Sequence, residues 1–219
     1  MTIIKHEVDA SATITLELVN SLNNICKQVE NDKSAKVLHL NIRAMAPIQS
    51  LNAESEKDVY LVHKWEKVIR RIENLDALVV TTAESDVLAA ALAILVVSDY
   101  RIATNATTFS VMQEAYIFPG VLIHRLVNQI GHSKSRSLIL LGKGMDAAQA
   151  NQAGLIDEIA DETDAALERF VAQMHDVVFN DIRVRRRLML EAYHTSFDDT
   201  IGLSLAACDK VLRQFAMAS

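Results

Sequence analysis

The stretch VLAAALAILVVSDYRIATNATTFS, residues 87–110, decides the fold of this chain. Its first part, Val87–Val97, is rich in alanine and apolar on every side, which is typical of a helix buried in the centre of a domain. Ser85 and Asp86 stand just before this run as candidate N-cap residues. The strands predicted after the helix are Tyr100–Ala103 and Thr108–Val111. The sequence therefore predicts a buried central helix that feeds into short strands.

Strands and helices alternate on both sides of the central helix. Residues 2–8 and 12–16 alternate in polarity like two paired strands joined by a turn. A short helix is predicted from Asp146, as its N-cap, to Gly154, as the residue that ends it. The other predicted elements are helices at 17–31, 54–73, 121–130, 133–141, 163–179, 182–193 and 197–216, and strands at 37–42, 77–82 and 155–159. This order predicts an α/β fold with a largely parallel sheet and an all-helical tail.

Composition limits both the architecture and the function. The 219 residues are 50% hydrophobic and 23% charged, which is enough apolar material for one well-buried domain. Only 6 glycines and 2 prolines are present, and this disfavours a glycine-rich all-β fold. Because every glycine lies at or beyond Gly120, residues 1–119 cannot contain a glycine-rich phosphate loop. The net charge of -6 argues against nucleic acid as a partner.

The sequence also bears on cellular location. The apolar run of the central helix has 11 residues, too few to cross a bilayer, which needs about 20. Residues 1–8 lack the apolar segment of a signal peptide, so we expect no membrane association. Cys26 and Cys208 fall in helical patterns and are expected to be core thiols of a reduced protein. We therefore expect a cytoplasmic location.

The central stretch and the segment after it together resemble a known family. SDYRIA follows the buried helix, a Pro119-Gly120 turn comes next, and a helix ending in LLGKGM leads into AGLIDEI. These motifs resemble the crotonase superfamily, the enoyl-CoA hydratase/isomerase fold, over nearly the whole chain. The resemblance implies a crotonase-like spiral of ββα repeats in residues 1–160. It also implies a helical C-terminal oligomerisation region in residues 161–219, within one continuous domain.

Within the superfamily, the chain resembles the DpgB-type accessory proteins of dihydroxyphenylglycine biosynthesis. The segments that carry this resemblance are VHKWEKVIRRIENL, AESD and TSFDDTIGLSLAACDKVLRQF. It implies a protein that assists a type III polyketide synthase in forming 3,5-dihydroxyphenylacetyl-CoA from malonyl-CoA, by dehydration or aromatisation of a thioester intermediate. A non-catalytic subunit of the synthase is the first alternative, and an acyl-CoA hydratase or isomerase is the second.

The resemblance also implies where a thioester enolate would be stabilised. Crotonases use two backbone N–H groups, one of them from a GGG at the head of the central helix. That triplet falls on residues 89–91, which are all alanine here, so the implied donor is the N–H of Ala90. The other donor is bracketed between Ser50 and Glu54. Alanine keeps the N–H group, but its methyl group narrows the approach of a substrate.

The paired glutamates of a hydratase are missing from the positions that the resemblance implies. These positions fall on Ala93 and Gln113, with Glu114 next to the second. Glu114, with Gln113 beside it, is the candidate general acid or base, and a solvated loop glutamate is the alternative. The candidate substrate-binding residues are Asp86, Tyr116, Gly120 and His124. For Asp86 the alternative is a helix cap, and for His124 it is a packed helix side chain.

Three further expectations concern ligands and partners. The basic cluster at residues 183–187, together with Lys134 and Arg136, is either a solvated helix face or a site for CoA phosphates. The histidines are scattered without metal-ligand spacing, so neither a metal nor a cofactor is expected, and a CoA thioester would be the substrate. Apolar positions in the last helix, such as Leu203 and Leu212, predict burial in an oligomer, and the resemblance implies that this oligomer is a homotrimer or hexamer.

Overall fold

The computed structural model describes residues 2–10, 14–44, 59–111, 121–174 and 181–218. The strands in these ranges are β1 Thr2–Asp9, β2 Ala35–Arg43, β3 Leu78–Ala83, β4 Val87–Leu88, β5 Tyr100–Ala103, β6 Thr108–Ser110, β7 Met145–Asp146 and β8 Glu158–Ile159. The helices are α1 Leu16–Asn31, α2 Val59–Glu73, α3 Ala89–Val96, α4 Leu122–Leu140, α5 Ala147–Ala153, α6 Thr163–Ala172, α7 Ile182–Glu191 and α8 Phe197–Ala218. The predicted α/β fold is confirmed.

Two sheets form the framework. The larger sheet has the order β1-β2-β3-β5-β8, and all of its neighbouring strands are parallel. The smaller sheet has the order β4-β6-β7, in which β4 is parallel and β7 antiparallel to β6. Parallel neighbours need crossover connections, and helices provide them between consecutive strands of the larger sheet. The two-residue strands β4 and β7 were not predicted, because so short a segment has no period to recognise.

The predicted strand pair at residues 2–8 and 12–16 is wrong. β1 lies parallel to β2 instead, far along the chain. The described part of the second segment, residues 14–16, leads into α1, because Thr15 has an extended backbone and its hydroxyl accepts a hydrogen bond from the N–H of Leu18 at 3.1 Å. Threonine in this position caps a helix, so Leu16 begins α1. The apparent alternation was a helix start.

α3 forms the centre of the core, as the sequence predicts. Each residue from Ala90 to Val96 is at most 2% exposed. Residues of α1, α2, α3 and α4 pack against one face of the larger sheet, and Trp65 of α2 is fully buried among them. α6 covers the opposite face, where Val80 and Leu167 belong to a second apolar cluster. α3 is therefore enclosed on all sides by apolar groups.

Ser85 and Asp86 do not cap α3. The N-cap residue is Leu88, which has an extended backbone and no side-chain cap. Val87 pairs with Phe109 in the smaller sheet, and this pairing holds the chain extended before α3 starts at Ala89. The predicted helix therefore begins later than its apolar pattern suggested.

The two helices predicted at 121–130 and 133–141 correspond to the two parts of α4. They meet at a kink at Gly131, which has φ 77° and ψ 163°. In α5, Asp146 accepts a hydrogen bond from the N–H of Gln149 at 2.7 Å within a capping box. Gly154 ends that helix in the left-handed region, as predicted.

Replacing Gly131 by alanine is expected to lower the free energy of unfolding by about 1 to 3 kcal/mol, because a Cβ strains this backbone conformation. The space around Gly131 is open, so the loss would come from backbone strain and not from collision. Gly202→Ala is the matched control, since Gly202 also faces open space but lies inside α8, where alanine stabilises by about 0.5 to 1 kcal/mol. Urea denaturation measures the free energy of unfolding of both variants, and equal changes in the two would contradict backbone strain at Gly131.

The C-terminal region consists of α6, α7 and α8. α8 exposes apolar side chains along its length, among them Phe197, Leu205 and Leu212. Cys208 on α8 is also exposed, so the prediction of a core thiol is wrong for it. Cys26 is buried, and this burial raises the pKa of its thiol to about 12. The boundary between residues 160 and 161 stays a prediction.

Candidate functional site

The N-terminus of α3 is the place where the resemblance implies a backbone donor, the N–H of Ala90. The first backbone N–H groups of a helix have no partner within it, so they need a cap, water or a ligand. Within the described residues, no side chain caps α3. Ala90, the predicted donor, is 1% exposed. Ala90 is therefore shielded from water close to the positive end of the helix dipole, where a negative charge is felt more strongly than in water.

Three strand ends converge beside this helix start. The N–H of Leu88 donates to the carbonyl of Ala10, just after β1, at 3.0 Å. The N–H of Ala10 donates to the carbonyl of Arg43 at 3.0 Å, and that of Glu84 donates to Ile42 at 3.2 Å. The carboxyl ends of β1, β2 and β3 thus meet near the start of α3. Open α/β sheets bind ligands at the carboxyl ends of their strands.

Asp86 lies at this edge, but it is exposed and its carboxylate is already engaged. Its Oδ1 accepts a hydrogen bond from the hydroxyl of Thr108 at 2.7 Å. Glu84 accepts one from the hydroxyl of Thr163 at 2.6 Å. Between them, the Oγ of Ser85 is buried and has no hydrogen-bond partner among the described residues. The sequence analysis treated Ser85 only as a cap and missed this unpartnered hydroxyl, which stands close in sequence to Ala90.

Several predicted site residues lie outside the described ranges. They are Gln113, Glu114, Tyr116, Gly120 and the bracketed donor at residues 50–54. Their roles therefore stay predictions. Ala93, the position of a hydratase glutamate, is 2% exposed and lies one turn along α3 from Ala90. Its methyl group supplies neither acid nor base to the site.

His124 lies on the exposed side of α4. Its Nε2 is 3.1 Å from the Nε2 of His194, and the two imidazole rings are inclined by 30° with their centroids 4.9 Å apart. Asn128, one turn along α4, places its amide nitrogen 3.0 Å from the same Nε2 of His124. The hydrogen-bond partners of His124 among the described residues are therefore these two, and neither belongs to α3.

Beside His124, Arg125 anchors α4 to α2. Its guanidinium donates two hydrogen bonds to Glu73, at 2.7 and 2.9 Å, and two to Glu66, at 2.7 and 3.1 Å. Burial alone would lower the pKa of Arg125, but the hydrogen bonds to Glu73 and Glu66 outweigh it and raise the pKa overall. Arg125 therefore stays charged and fixes the orientation of α4.

The basic cluster at residues 183–187 is not uniform, so neither predicted role describes all of it. Arg186 is 8% exposed, whereas Arg183, Arg185 and Arg187 are exposed. The guanidinium of Arg186 donates to both carboxylate oxygens of Asp99, at 2.6 and 2.7 Å. Arg186 therefore holds α7 against the core. Lys134 and Arg136 are exposed on α4. Their exposure fits both a phosphate site and a solvated helix face.

His39 is a second buried polar group that the sequence analysis passed over. It lies in β2, is 1% exposed, and its Nε2 is 2.8 Å from the hydroxyl of Thr82. Thr82 donates its own proton to Asn41, so Nε2 of His39 carries the hydrogen and Nδ1 does not. Nδ1 has no partner among the described residues. Desolvation by burial, with a smaller effect of the Lys5 charge, lowers the pKa of His39 to about 4.

Two negative findings apply to the described part of the chain. No three side chains of His, Cys, Asp or Glu there come together as a metal-binding group. In the same ranges, no helix has both the length and the apolar character needed to cross a membrane.

Comparisons with known proteins place this geometry in a family. A family model described as Enoyl-CoA hydratase/isomerase matches residues 5–217. A relative from Amycolatopsis orientalis, an enoyl-CoA-hydratase, is 29% identical over 210 residues, which are 95% of this chain and 95% of the relative.

Solved structures show the same fold at low identity. A structure from Thermobifida fusca YX in complex with CoA has a TM-score of 0.81 and 16% identity, over 97% of this chain and 91% of that one. The enoyl-CoA hydratase of Bacillus anthracis has a TM-score of 0.78 and 16% identity, over 96% and 87% of the two chains. Since the family model spans nearly the full length, this chain belongs to the enoyl-CoA hydratase/isomerase family.

Proposed function

We propose that this chain binds an acyl-CoA thioester at the N-terminus of α3 and stabilises its enolate with the N–H of Ala90. The burial of Ala90 and the start of α3, which no described side chain caps, carry the proposal. Such a fixed donor stabilises an oxyanion without reorganisation as the charge develops. The CoA bound to the Thermobifida fusca relative supports the ligand class. The thioester is the substrate, and the chemistry requires no separate cofactor.

Acetoacetyl-CoA tests the enolate site, because its enolate absorbs in the near ultraviolet and is seen directly when bound. We expect wild-type protein to produce this absorbance and Ala90→Leu to weaken it at least tenfold, since the larger side chain fills the approach to the donor. Overpacking a core costs about 1 to 3 kcal/mol by itself. Ala166→Leu is the matched control, because Ala166 is also a helical alanine that is 1% exposed but belongs to the other apolar cluster.

Circular dichroism would establish that both variants are folded. Wild-type enolate absorbance from Ala90→Leu would contradict the proposal, as would the absence of the absorbance from wild-type protein. An equal loss in Ala166→Leu would assign the effect to general destabilisation and not to the site.

Within this chemistry, we infer that the chain assists a type III polyketide synthase by dehydrating or aromatising a thioester-bound polyketone. Ala93 removes one carboxylate of a hydratase pair, and Glu114 is the one candidate acid or base next to the second position. Loss of water from an enolate needs a proton delivered to the leaving hydroxyl, which a single carboxylic acid supplies. Glu114→Gln is therefore expected to reduce the aromatic product of the synthase while complex formation persists.

Two other functions remain open, each with its own supporting feature. The alanines at residues 89–91, in place of a glycine triplet, favour a non-catalytic subunit of the synthase. Full stimulation of the synthase by both Glu114→Gln and Ala90→Leu would support it. Membership of the family favours an acyl-CoA hydratase or isomerase. Efficient hydration of crotonyl-CoA by wild-type protein would support that function over the accessory role.

The exposed apolar side chains of α8 support the proposed homotrimer or hexamer. Leu203, Leu205 and Leu212 are 44%, 64% and 68% exposed in the single chain. Burial of such a face against other copies removes apolar area from water. Light scattering is expected to give three or six times the chain mass of 24.3 kDa. A particle of 24.3 kDa at micromolar concentration would contradict the prediction.

A further inference from the structure

Three nitrogen-bearing side chains converge at the surface between α4 and the turn that joins α7 to α8. The Nε2 atoms of His124 and His194 are 3.1 Å apart, although their ring centroids are 4.9 Å apart. The two rings therefore approach each other at their Nε2 ends. The amide of Asn128 lies 3.0 Å from the same Nε2 of His124.

Hydrogen bonding among these groups leaves one contact unsatisfied. A neutral imidazole Nε2 carries either one hydrogen or one lone pair. The Nε2 of His124 faces two partners, His194 and Asn128, and can make one good hydrogen bond to only one of them. A cation between the groups resolves the conflict, because both imidazoles then present lone pairs to it.

We propose that His124, His194 and Asn128 bind a divalent transition metal of the zinc type. Zinc–nitrogen bonds of about 2.0 to 2.1 Å that meet at about 90 to 110° place two nitrogens about 2.9 to 3.4 Å apart, and the observed Nε2 separation of 3.1 Å lies in this range. Imidazole nitrogen suits zinc, copper and nickel. Rotation of the Asn128 amide presents its oxygen as a third ligand, and water completes the set.

Both histidines sit on segments that partly buried ion pairs hold in place. Arg125, next to His124, pairs with Glu66 and Glu73 of α2. Arg186, two turns before His194, pairs with Asp99. The two imidazoles are thus positioned before any metal arrives, which reduces the entropy lost on binding. A bound metal would tie the α7–α8 turn to α4 without touching the start of α3.

Isothermal titration of untagged, metal-free protein with zinc chloride at pH 7.5 tests the proposal. We expect one zinc ion per chain and a higher Tm with zinc, whereas magnesium has no effect because it prefers oxygen ligands. His124→Gln and His194→Gln should each lower zinc affinity at least tenfold. His132→Gln is the matched control, because His132 is exposed on the same helix. Cys208→Ser should also bind zinc like the wild type.

Zinc and protons compete for the same imidazole nitrogens, so zinc binding should weaken in acidic solution. Unchanged affinity in His194→Gln would overturn the proposal. So would the absence of stoichiometric binding by wild-type protein, or a loss of binding in His132→Gln equal to that in His124→Gln.

Discussion

Replacing Arg186 by leucine is expected to lower the free energy of unfolding by about 3 to 5 kcal/mol, the usual loss when one partner of a buried ion pair is removed. Besides Asp99, the guanidinium donates to three backbone carbonyls, those of Glu73, Leu75 and Ala77, at 2.8 to 2.9 Å. Leucine would leave the carboxylate without its counter-ion and these carbonyls without their donor. Each buried polar group that loses its partner is costly by itself.

Arg187→Leu is the matched control for this prediction. Arg187 is the next residue on the same helix, but its side chain is 66% exposed, and its one ion-pair partner in the described part of the chain is Glu191. Its replacement should change stability by no more than about 0.5 kcal/mol. Arg186→Lys should fall between the two, because an ammonium keeps the charge but cannot make the forked contacts of a guanidinium. Urea denaturation at fixed protein concentration measures all three, and equal losses in the two leucine variants would contradict the prediction.

Lowering the pH from 7 to 4 is expected to remove about 3 kcal/mol of stability through His39 alone. In the unfolded chain His39 binds a proton with a pKa near 6.5, whereas in the folded protein its pKa is about 4. The unfolded state therefore holds more protons between these values, and stability falls as the pH falls through them. Above about pH 7 this contribution is fully present, and below about pH 4 it is lost.

A His39→Leu variant isolates this contribution. The free energy of unfolding of the variant should change less than that of the wild type between pH 7 and pH 4.5. His6 also has a lowered pKa, caused mainly by desolvation, but it is present in both proteins and cancels in the comparison. His132→Gln, at an exposed position, should keep the wild-type pH dependence. Parallel curves for wild type and His39→Leu would show that His39 does not sense this pH change.

Periodicity predicted most of the elements, because apolar spacing reports directly which side of an element is buried. The long helices α1, α2 and α4 and the strand β3 follow from it. It failed where one contact overrides the pattern, as at Thr15, whose cap turns an apparent strand into a helix start. Similarly, the pairing of Val87 with Phe109 makes α3 start later in the chain than its apolar pattern predicted. Both errors concern element starts, which depend on single hydrogen bonds.

The candidate site was less accessible to sequence reasoning. The resemblance pointed to Ala90, and the structure adds that Ala90 is buried and that no described side chain caps its helix. The contacts of Arg186, His39 and His124 join residues that are 87, 43 and 70 positions apart, and no local pattern encodes such pairings. Composition gave no hint either, since an arginine in a charged run and a histidine within an apolar strand both look unremarkable by type.

The ion pair between Arg186 and Asp99 also bears on how the protein is made. During synthesis, Asp99 and all strands of the larger sheet emerge from the ribosome before Arg186, which follows Asp99 by 87 residues. Until then the growing chain holds this acidic group at the edge of its core, where the backbone N–H of Val79 is its other hydrogen-bond donor among the described residues. The nascent sheet thus cannot reach its final stability until α7 has been synthesised and Arg186 can pair with Asp99.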